Sequence, residues 1–73
     1  MSSDSFNDAI SERLKGERKR LRLTQTEAAE LCDVSSRTLL RWEKGTPIPS
    51  DKLLILHANN FDIQYIITGF PVS

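Results

Sequence analysis

The sequence has very few of the residues that form metal sites, disulfides and many catalytic centres. It contains one cysteine, Cys32, and one histidine, His57. A lone cysteine excludes an intramolecular disulfide and a cysteine-cluster zinc site, and it fits a reducing cytoplasm. No second histidine is present to complete a metal pair, and no serine has a neighbouring base. We therefore expect no metal, no cofactor and no enzymatic activity.

Both residues have structural interpretations instead. Cys32 is expected to be a small buried hydrophobe. His57 stands beside Leu56 and Ala58 in an apolar segment, which favours a histidine in the core or at its rim. The polar first seven residues lack the pattern of a signal peptide, and no apolar stretch approaches the ~20 residues that span a bilayer. We expect no membrane association.

The length of 73 residues is sufficient for one domain with a small core. Hydrophobic periodicity and capping signals predict five helices and no strand, that is, an all-α fold in the form of a compact five-helix bundle. We expect this domain to cover residues 6–69. A flexible N-terminus at residues 1–5 precedes it, and a C-terminal tail or the start of a linker follows at residues 70–73.

The first predicted helix, residues 6–21, has an apolar stripe that includes one charge. The apolar members are Phe6, Ile10, Leu14 and Leu21. Arg18 falls on the same stripe, and burying it without a partner would cost several kcal/mol. Glu43, at the edge of the third helix, offers the opposite charge. Either the two side chains pair and join the two helices, or both extend to water.

Local signals delimit the second and third helices. Thr24 and Glu27 form a capping box at the start of the second helix, which ends near Cys32. Asp33 occupies the turn, because aspartate tolerates the left-handed region. Ser35 caps the third helix, which runs to about residue 44 and stops at Gly45.

The fourth and fifth helices are the most apolar. The fourth is predicted to follow the cap Ser50, and its leucines and isoleucine at residues 53–56 surround it almost completely, which places it at the centre of the core. The fifth follows the cap Asp62 and ends at Gly69. Its apolar end either closes the core or contacts a second copy of the protein.

The third predicted helix has an apolar face, which we expect to be buried, and a largely basic face, which we expect to be exposed. Leu39 and Trp42 point to one side. An arc of about 140° on the other side holds Ser36, Arg37, Leu40, Arg41 and Lys44. Arginine can bind both acceptors of guanine, serine can bond several base edges, and an apolar tip such as that of Leu40 can touch a thymine methyl. A solvated basic face that never meets DNA is the alternative.

The neutral net charge conceals an uneven distribution. Between residues 13 and 22 there are six basic residues and one acid, Glu17. Acids collect elsewhere, at residues 4–12, 27–33, 51 and 62. A basic face is therefore compatible with overall neutrality.

The segment 18–45, RKRLRLTQTEAAELCDVSSRTLLRWEKG, resembles the helix-turn-helix of the lambdoid phage repressors and Cro proteins, the XRE-like family. The matching features are the Thr-Gln start of the second helix, its alanine pair, the valine before the serine cap and the Arg-Trp-Glu-Lys-Gly ending. Residues 62–69, DIQYIITG, also resemble the end of many such domains. Arg22 and Asp33 depart from the family, which often has glycine at both positions.

The resemblance implies a lambda-repressor-like domain with two sets of DNA contacts. Base reading falls to Ser36, Arg37, Leu40 and Arg41. Phosphate binding falls to Gln25, Ser35, Lys44 and Thr46. Arg18 and Glu43 would form a structural ion pair of the family.

The function implied is that of a sequence-specific transcriptional regulator. A phage or prophage-type repressor would bind a two-fold related operator in double-stranded DNA through the major groove, as a homodimer at least on DNA, in the cytoplasm of a bacterial host cell. The alternative is a protein-interaction module of the same fold that binds an antirepressor or a toxin. The neutral charge and the apolar end of the fifth helix favour that alternative.

Overall fold

A computed structural model describes residues 4–71 of the chain, with side chains from residue 7 onward. The described residues form five α-helices and no strand, which confirms the all-α prediction. In chain order they are α1 (Asp4–Arg20), α2 (Gln25–Leu31), α3 (Ser36–Trp42), α4 (Ser50–Ala58) and α5 (Ile63–Thr68). Residues 1–3 of the predicted flexible N-terminus and residues 72–73 of the predicted tail lie outside the described part.

Helices α2, α3 and α5 begin at residues whose side chains cap them. Thr24 accepts the Glu27 N–H while the Glu27 carboxylate accepts the Thr24 N–H, so the predicted capping box is present. Ser35 accepts the Thr38 N–H at the start of α3. Asp62 caps α5 in the same way, and Gly69 ends that helix with a φ of 83°.

Helix α4 differs from its prediction at its start. Ser50 is the first helical residue and not the cap, because the carbonyl of Pro49 already accepts the N–H groups of Lys52 and Leu53. Pro49 supplies no side-chain hydrogen bond. Proline has a fixed φ suited to this position.

Helix α4 is also less central than its composition predicts. Leu56 is fully buried, but Leu54 is 69% exposed. A domain this small has too few elements to cover a helix on every side. His57 is exposed, so the predicted place in the core is wrong.

All five helices contribute side chains to one core. α2 packs on α3, and α5 packs against α1 and α4. The buried apolar side chains are Leu14, Ala28, Ala29, Cys32, Leu39, Trp42, Leu56, Phe61 and Ile66. Burial raises the pKa of the Cys32 thiol, which is consistent with its predicted place as a small hydrophobe.

The buried carboxylate of Glu17 links α1 to the connection between α4 and α5. Glu17 Oε1 accepts the N–H of Asp62 at 2.8 Å, and Arg20 donates to both oxygens of Glu17 at 2.8 Å. Arg20 also donates to the carbonyl of Asn60. The hydrogen bonds from Arg20, supported by that from Asp62, lower the pKa of Glu17 against the opposing effect of burial.

Three residues other than glycine have a left-handed backbone. They are Arg22, Asp33 and Asn60, with φ of 60°, 55° and 75°. Aspartate and asparagine enter this region readily, but an arginine there costs about 1–2 kcal/mol. The strain is therefore greatest at Arg22.

Replacing Arg22 with glycine should raise the free energy of unfolding by roughly 0.5–1 kcal/mol, because glycine removes the left-handed penalty at some cost in chain entropy. Urea denaturation measures the change. Arg22→Ala is the matched control, since it removes the side chain but keeps the penalty. Equal stability of the two variants would show that the backbone at this position is not strained.

The lowered pKa of Glu17 makes stability depend on pH. The contribution of its charge is present above the ordinary glutamate pKa of about 4.3 and is lost as the pH falls through the lower folded pKa. The stability advantage of the wild type over Glu17→Gln should therefore shrink as the pH falls below about 4. Urea denaturation at pH 3 to 7 tests this, and a difference that stays constant over that range would contradict it.

Candidate nucleic-acid interface

Helix α3 is anchored by one face and presents the other. Leu39 and Trp42 are 0% and 3% exposed, so this side is fixed in the core. The predicted base-reading residues lie on the opposite side. Ser36, Arg37 and Arg41 are exposed and Leu40 is half-buried.

The two arginines of this face are not engaged by the protein. Neither Arg37 nor Arg41 makes a side-chain hydrogen bond or ion pair within residues 4–71. A guanidinium offers five N–H donors in a planar arrangement, which matches the O6 and N7 acceptors of guanine and the oxygens of phosphate. The exposed face of α3 can therefore donate to a polyanion without first breaking an internal contact.

Arg18 of α1 is paired with Glu43, the residue that ends α3. Arg18 Nε donates to Glu43 Oε2 at 2.7 Å, and Nη2 donates to Oε1 at 3.3 Å. The remaining terminal nitrogen donates to the Leu23 carbonyl at 2.9 Å. The side chains of Arg18 and Glu43 are only 11% and 2% exposed, so the alternative in which both extend to water does not occur.

Glu43 also holds Gln25, a contact that sequence reasoning missed. The amide nitrogen of Gln25 donates to Glu43 Oε1 at 3.2 Å. A carboxylate can only accept, so the nitrogen of this amide must face Glu43. The second N–H of the amide has no acceptor among the described residues. The predicted phosphate-binding residue of α2 is thus attached to the ion pair between α1 and α3.

The other predicted phosphate-binding residues lie at the two ends of α3. Ser35 Oγ accepts the Thr38 N–H and lies 3.0 Å from Thr38 Oγ1. Lys44 and Thr46 are exposed in the turn that follows α3, and the Thr46 N–H donates to the carbonyl of Arg41. Helix α3 stops at Trp42, two residues before its predicted end, so Lys44 belongs to this turn.

The turn after α3 is fixed by a buried serine that the sequence analysis did not select. Ser11 is 3% exposed, and its hydroxyl accepts the Gly45 N–H at 2.9 Å. Ser11 stands three residues before Leu14 on α1, so the two side chains share a face of that helix. This spacing was the only sign in the sequence that Ser11 would be buried. Gly45 has a φ of 115°, as its predicted role as a helix stop requires.

Acidic residues border the same turn. A groove of about 580 Å³ is lined by Lys15 and Lys44 together with Asp8 and Glu12. The carboxylate of Asp8 lies close to Gly45, because a Cβ at that glycine would be 3.2 Å from Asp8 Oδ1. The surface beside this turn is therefore mixed in charge, and the unpaired positive charges of Arg37 and Arg41 lie on the exposed face of α3 itself.

Within residues 4–71, no three His, Cys, Asp or Glu side chains are placed to hold a metal ion. No helix in that part of the chain has both the length and the apolar character needed to cross a membrane.

Comparison with known protein families agrees with the geometry. A family model described as helix-turn-helix matches residues 14–65, which are 52 of the 73 residues. The match begins at Leu14 in α1 and ends at Tyr65 in α5, so it includes α2, α3 and the ion pair that joins α3 to α1. Comparison with curated proteins and with solved structures gave no match.

Removing one member of the buried ion pair should cost far more stability than removing both. Arg18→Met leaves the carboxylate of Glu43 buried without its charged partner, and we expect a loss of about 3 kcal/mol in the free energy of unfolding. The double variant Arg18→Met with Glu43→Met should recover half of that loss or more. Urea denaturation measures both, and a double variant no more stable than the single one would contradict the expectation.

Proposed function

Because the chain belongs to the XRE-type helix-turn-helix family of DNA-binding regulators, we propose that it is a sequence-specific repressor of the phage or prophage type. It binds a two-fold related operator in double-stranded DNA, with α3 in the major groove and with two copies on the two half-sites. Its place of action is the cytoplasm of a bacterial host cell. The observation that carries the proposal is the exposed and unpaired state of Arg37 and Arg41, opposite the buried Leu39 and Trp42.

Base reading in this proposal belongs to the exposed face of α3. Arg37 and Arg41 donate to guanine, Ser36 bonds a base edge, and Leu40 contacts a thymine methyl. Leu40 is half-buried, so part of its side chain is accessible to a partner, which supports the assignment. Each good bidentate contact contributes about 1–3 kcal/mol of discrimination.

Phosphate binding belongs to residues around the ends of α2 and α3. Gln25 and Lys44 both adjoin the buried Glu43, Gln25 through its hydrogen bond and Lys44 as the next residue of the chain. Ser35 and Thr46 complete the set. Contacts with phosphate fix the orientation of the protein on the duplex and make binding weaken with salt.

One observation favours the second candidate, a protein-interaction module for an antirepressor or a toxin. Ile67 and Phe70, near the end of α5, are 46% and 73% exposed. Large exposed apolar side chains that lie together are typical of protein interfaces. Retention on heparin at low salt separates the two candidates, because a cationic DNA-binding face is retained and an evenly mixed surface elutes early.

The test of the proposed function starts with selection of bound duplexes from a random pool. On the selected duplex, Arg37→Ala should weaken binding by about 1–3 kcal/mol and should weaken binding to random DNA much less. The exposed Arg37 side chain makes no internal hydrogen bond or ion pair, so its removal should not disturb the fold. Fluorescence anisotropy measures both affinities.

Lys44→Ala is the matched control. It removes one positive charge without a base contact, so it should weaken binding to both DNAs by the same factor and should reduce the salt slope by about 0.9. Equal losses on both DNAs for Arg37→Ala would reject Arg37 as a base reader, and failure to select any duplex would reject the proposed function.

A further inference from the structure

Three helices of the domain end in the same hydrogen-bonded turn. At each end, one residue donates its N–H to a carbonyl three residues back, and the next residue donates to a carbonyl five residues back. These are the two bonds of a Schellman motif, in which the first of the two donors has a left-handed backbone. The left-handed residues are Arg22 after α1, Asp33 after α2 and Asn60 after α4.

Arg22 differs from the other two residues in its chemistry. Aspartate and asparagine tolerate the left-handed region because their short polar side chains can hydrogen-bond locally, and arginine has no such advantage. The side chain of Arg22 is exposed and makes no hydrogen bond or ion pair with any described residue. No internal polar contact of this side chain therefore offsets the strain of its backbone.

Arg22 lies close to the proposed phosphate-binding residue of α2. It precedes Gln25 by three residues, so the two Cα atoms are at most about 11 Å apart. The chain between them is held, because Arg18 donates to the Leu23 carbonyl and the ion-pair partner of Arg18 accepts from Gln25. Each strand of B-DNA has one phosphate for about every 3.4 Å of helix axis. A phosphate next to the one at Gln25 is therefore within the range that this spacing covers.

The turn after α1 has a second positive charge and no free acid near it in the sequence. Lys19, whose carbonyl accepts the Arg22 N–H, is exposed and likewise makes no ion pair with a described residue. Glu17 and Glu27 are the nearest acids in the sequence, and the carboxylates of both already accept hydrogen bonds. The turn is thus prepared to bind an anion from outside the chain.

We propose that Arg22 binds a backbone phosphate of the operator next to the phosphate bound by Gln25, so that the strained turn after α1 is part of the DNA-binding surface. This inference rests on the proposed function. It requires opposite effects on stability and on binding, because replacing Arg22 with glycine relieves strain and removes a phosphate contact. A purely structural role, such as attraction to the negative end of α1, would instead make the variant less stable.

Three variants at this position separate the charge from the backbone. Arg22→Gly removes both the charge and the strain, Arg22→Asn removes the charge and tolerates the left-handed backbone, and Arg22→Lys keeps the charge. Arg20→Gln is the matched control. Arg20 belongs to the same basic stretch, but its guanidinium is held by Glu17 and by the Asn60 carbonyl. Urea denaturation verifies that each variant is folded.

The first measurement is fluorescence anisotropy of the full chain on the selected duplex at several salt concentrations. Arg22→Gly and Arg22→Asn should weaken binding about five- to tenfold at about 0.1 M salt and reduce the salt slope by about 0.9, because one phosphate contact is lost. The loss should be the same on random DNA, since phosphate contacts carry no sequence information. Arg22→Lys should keep the slope of the wild type, and Arg20→Gln should stay within about twofold of its affinity.

The second measurement locates the contact by ethylation of single phosphates in the selected duplex. Ethylation should cease to interfere with Arg22→Gly at a phosphate adjacent to the one at which it ceases to interfere with Gln25→Ala. An Arg22→Gly variant with the affinity and salt slope of the wild type overturns the inference alone, as does an equal loss for Arg20→Gln. Failure to select any duplex would instead reject the proposed function, and this inference with it.

Discussion

Arg18 and Glu43 form a buried ion pair, and each charge can be buried only because the other compensates it. A buried charge without a partner costs several kcal/mol, so the pair forces the end of α3 to lie against α1. The same carboxylate accepts a hydrogen bond from Gln25 at the start of α2. One side chain thus sets the relative positions of three helices. The orientation of the exposed face of α3 depends on this arrangement.

Helix α1 distributes such contacts along its length and acts as the frame of the domain. Successive residues of a helix point about 100° apart, so adjacent residues can bind different neighbours. Arg18 binds the end of α3 while Glu17 binds the connection between α4 and α5. Nearer the N-terminus, Ser11 fixes the turn after α3 and Arg13 donates to the last carbonyls of α5. Polar contacts from one long helix therefore supplement a core that is necessarily small.

The polar groups of the interior are satisfied by one another, which distinguishes them from those on α3. Among the described residues, every buried side-chain nitrogen and oxygen has a hydrogen-bond partner. Arg37 and Arg41 have none and stand in solvent. A binding surface of this kind needs no internal rearrangement before it meets its ligand. The neutral net charge of the chain does not reveal this surface, because acids elsewhere in the sequence balance its basic residues. Asp8 and Glu12 lie at its border, in the groove that Lys44 also lines.

The sequence by itself determined the local features: the caps at Thr24, Ser35 and Asp62, the left-handed turn at Asp33, and the sides of α3 that are buried and exposed. These follow from interactions within about four residues and from the helical period. Only the tertiary structure decided that Ser11 would hold Gly45, that Glu17 would hold Asp62, and that Glu43 would hold Gln25 as well as Arg18. It also left Leu54 exposed on a helix whose composition is apolar all round. Such contacts join residues 18 to 45 positions apart, and the exposure of an apolar side chain depends on how many neighbours a small domain can supply, which no local pattern specifies.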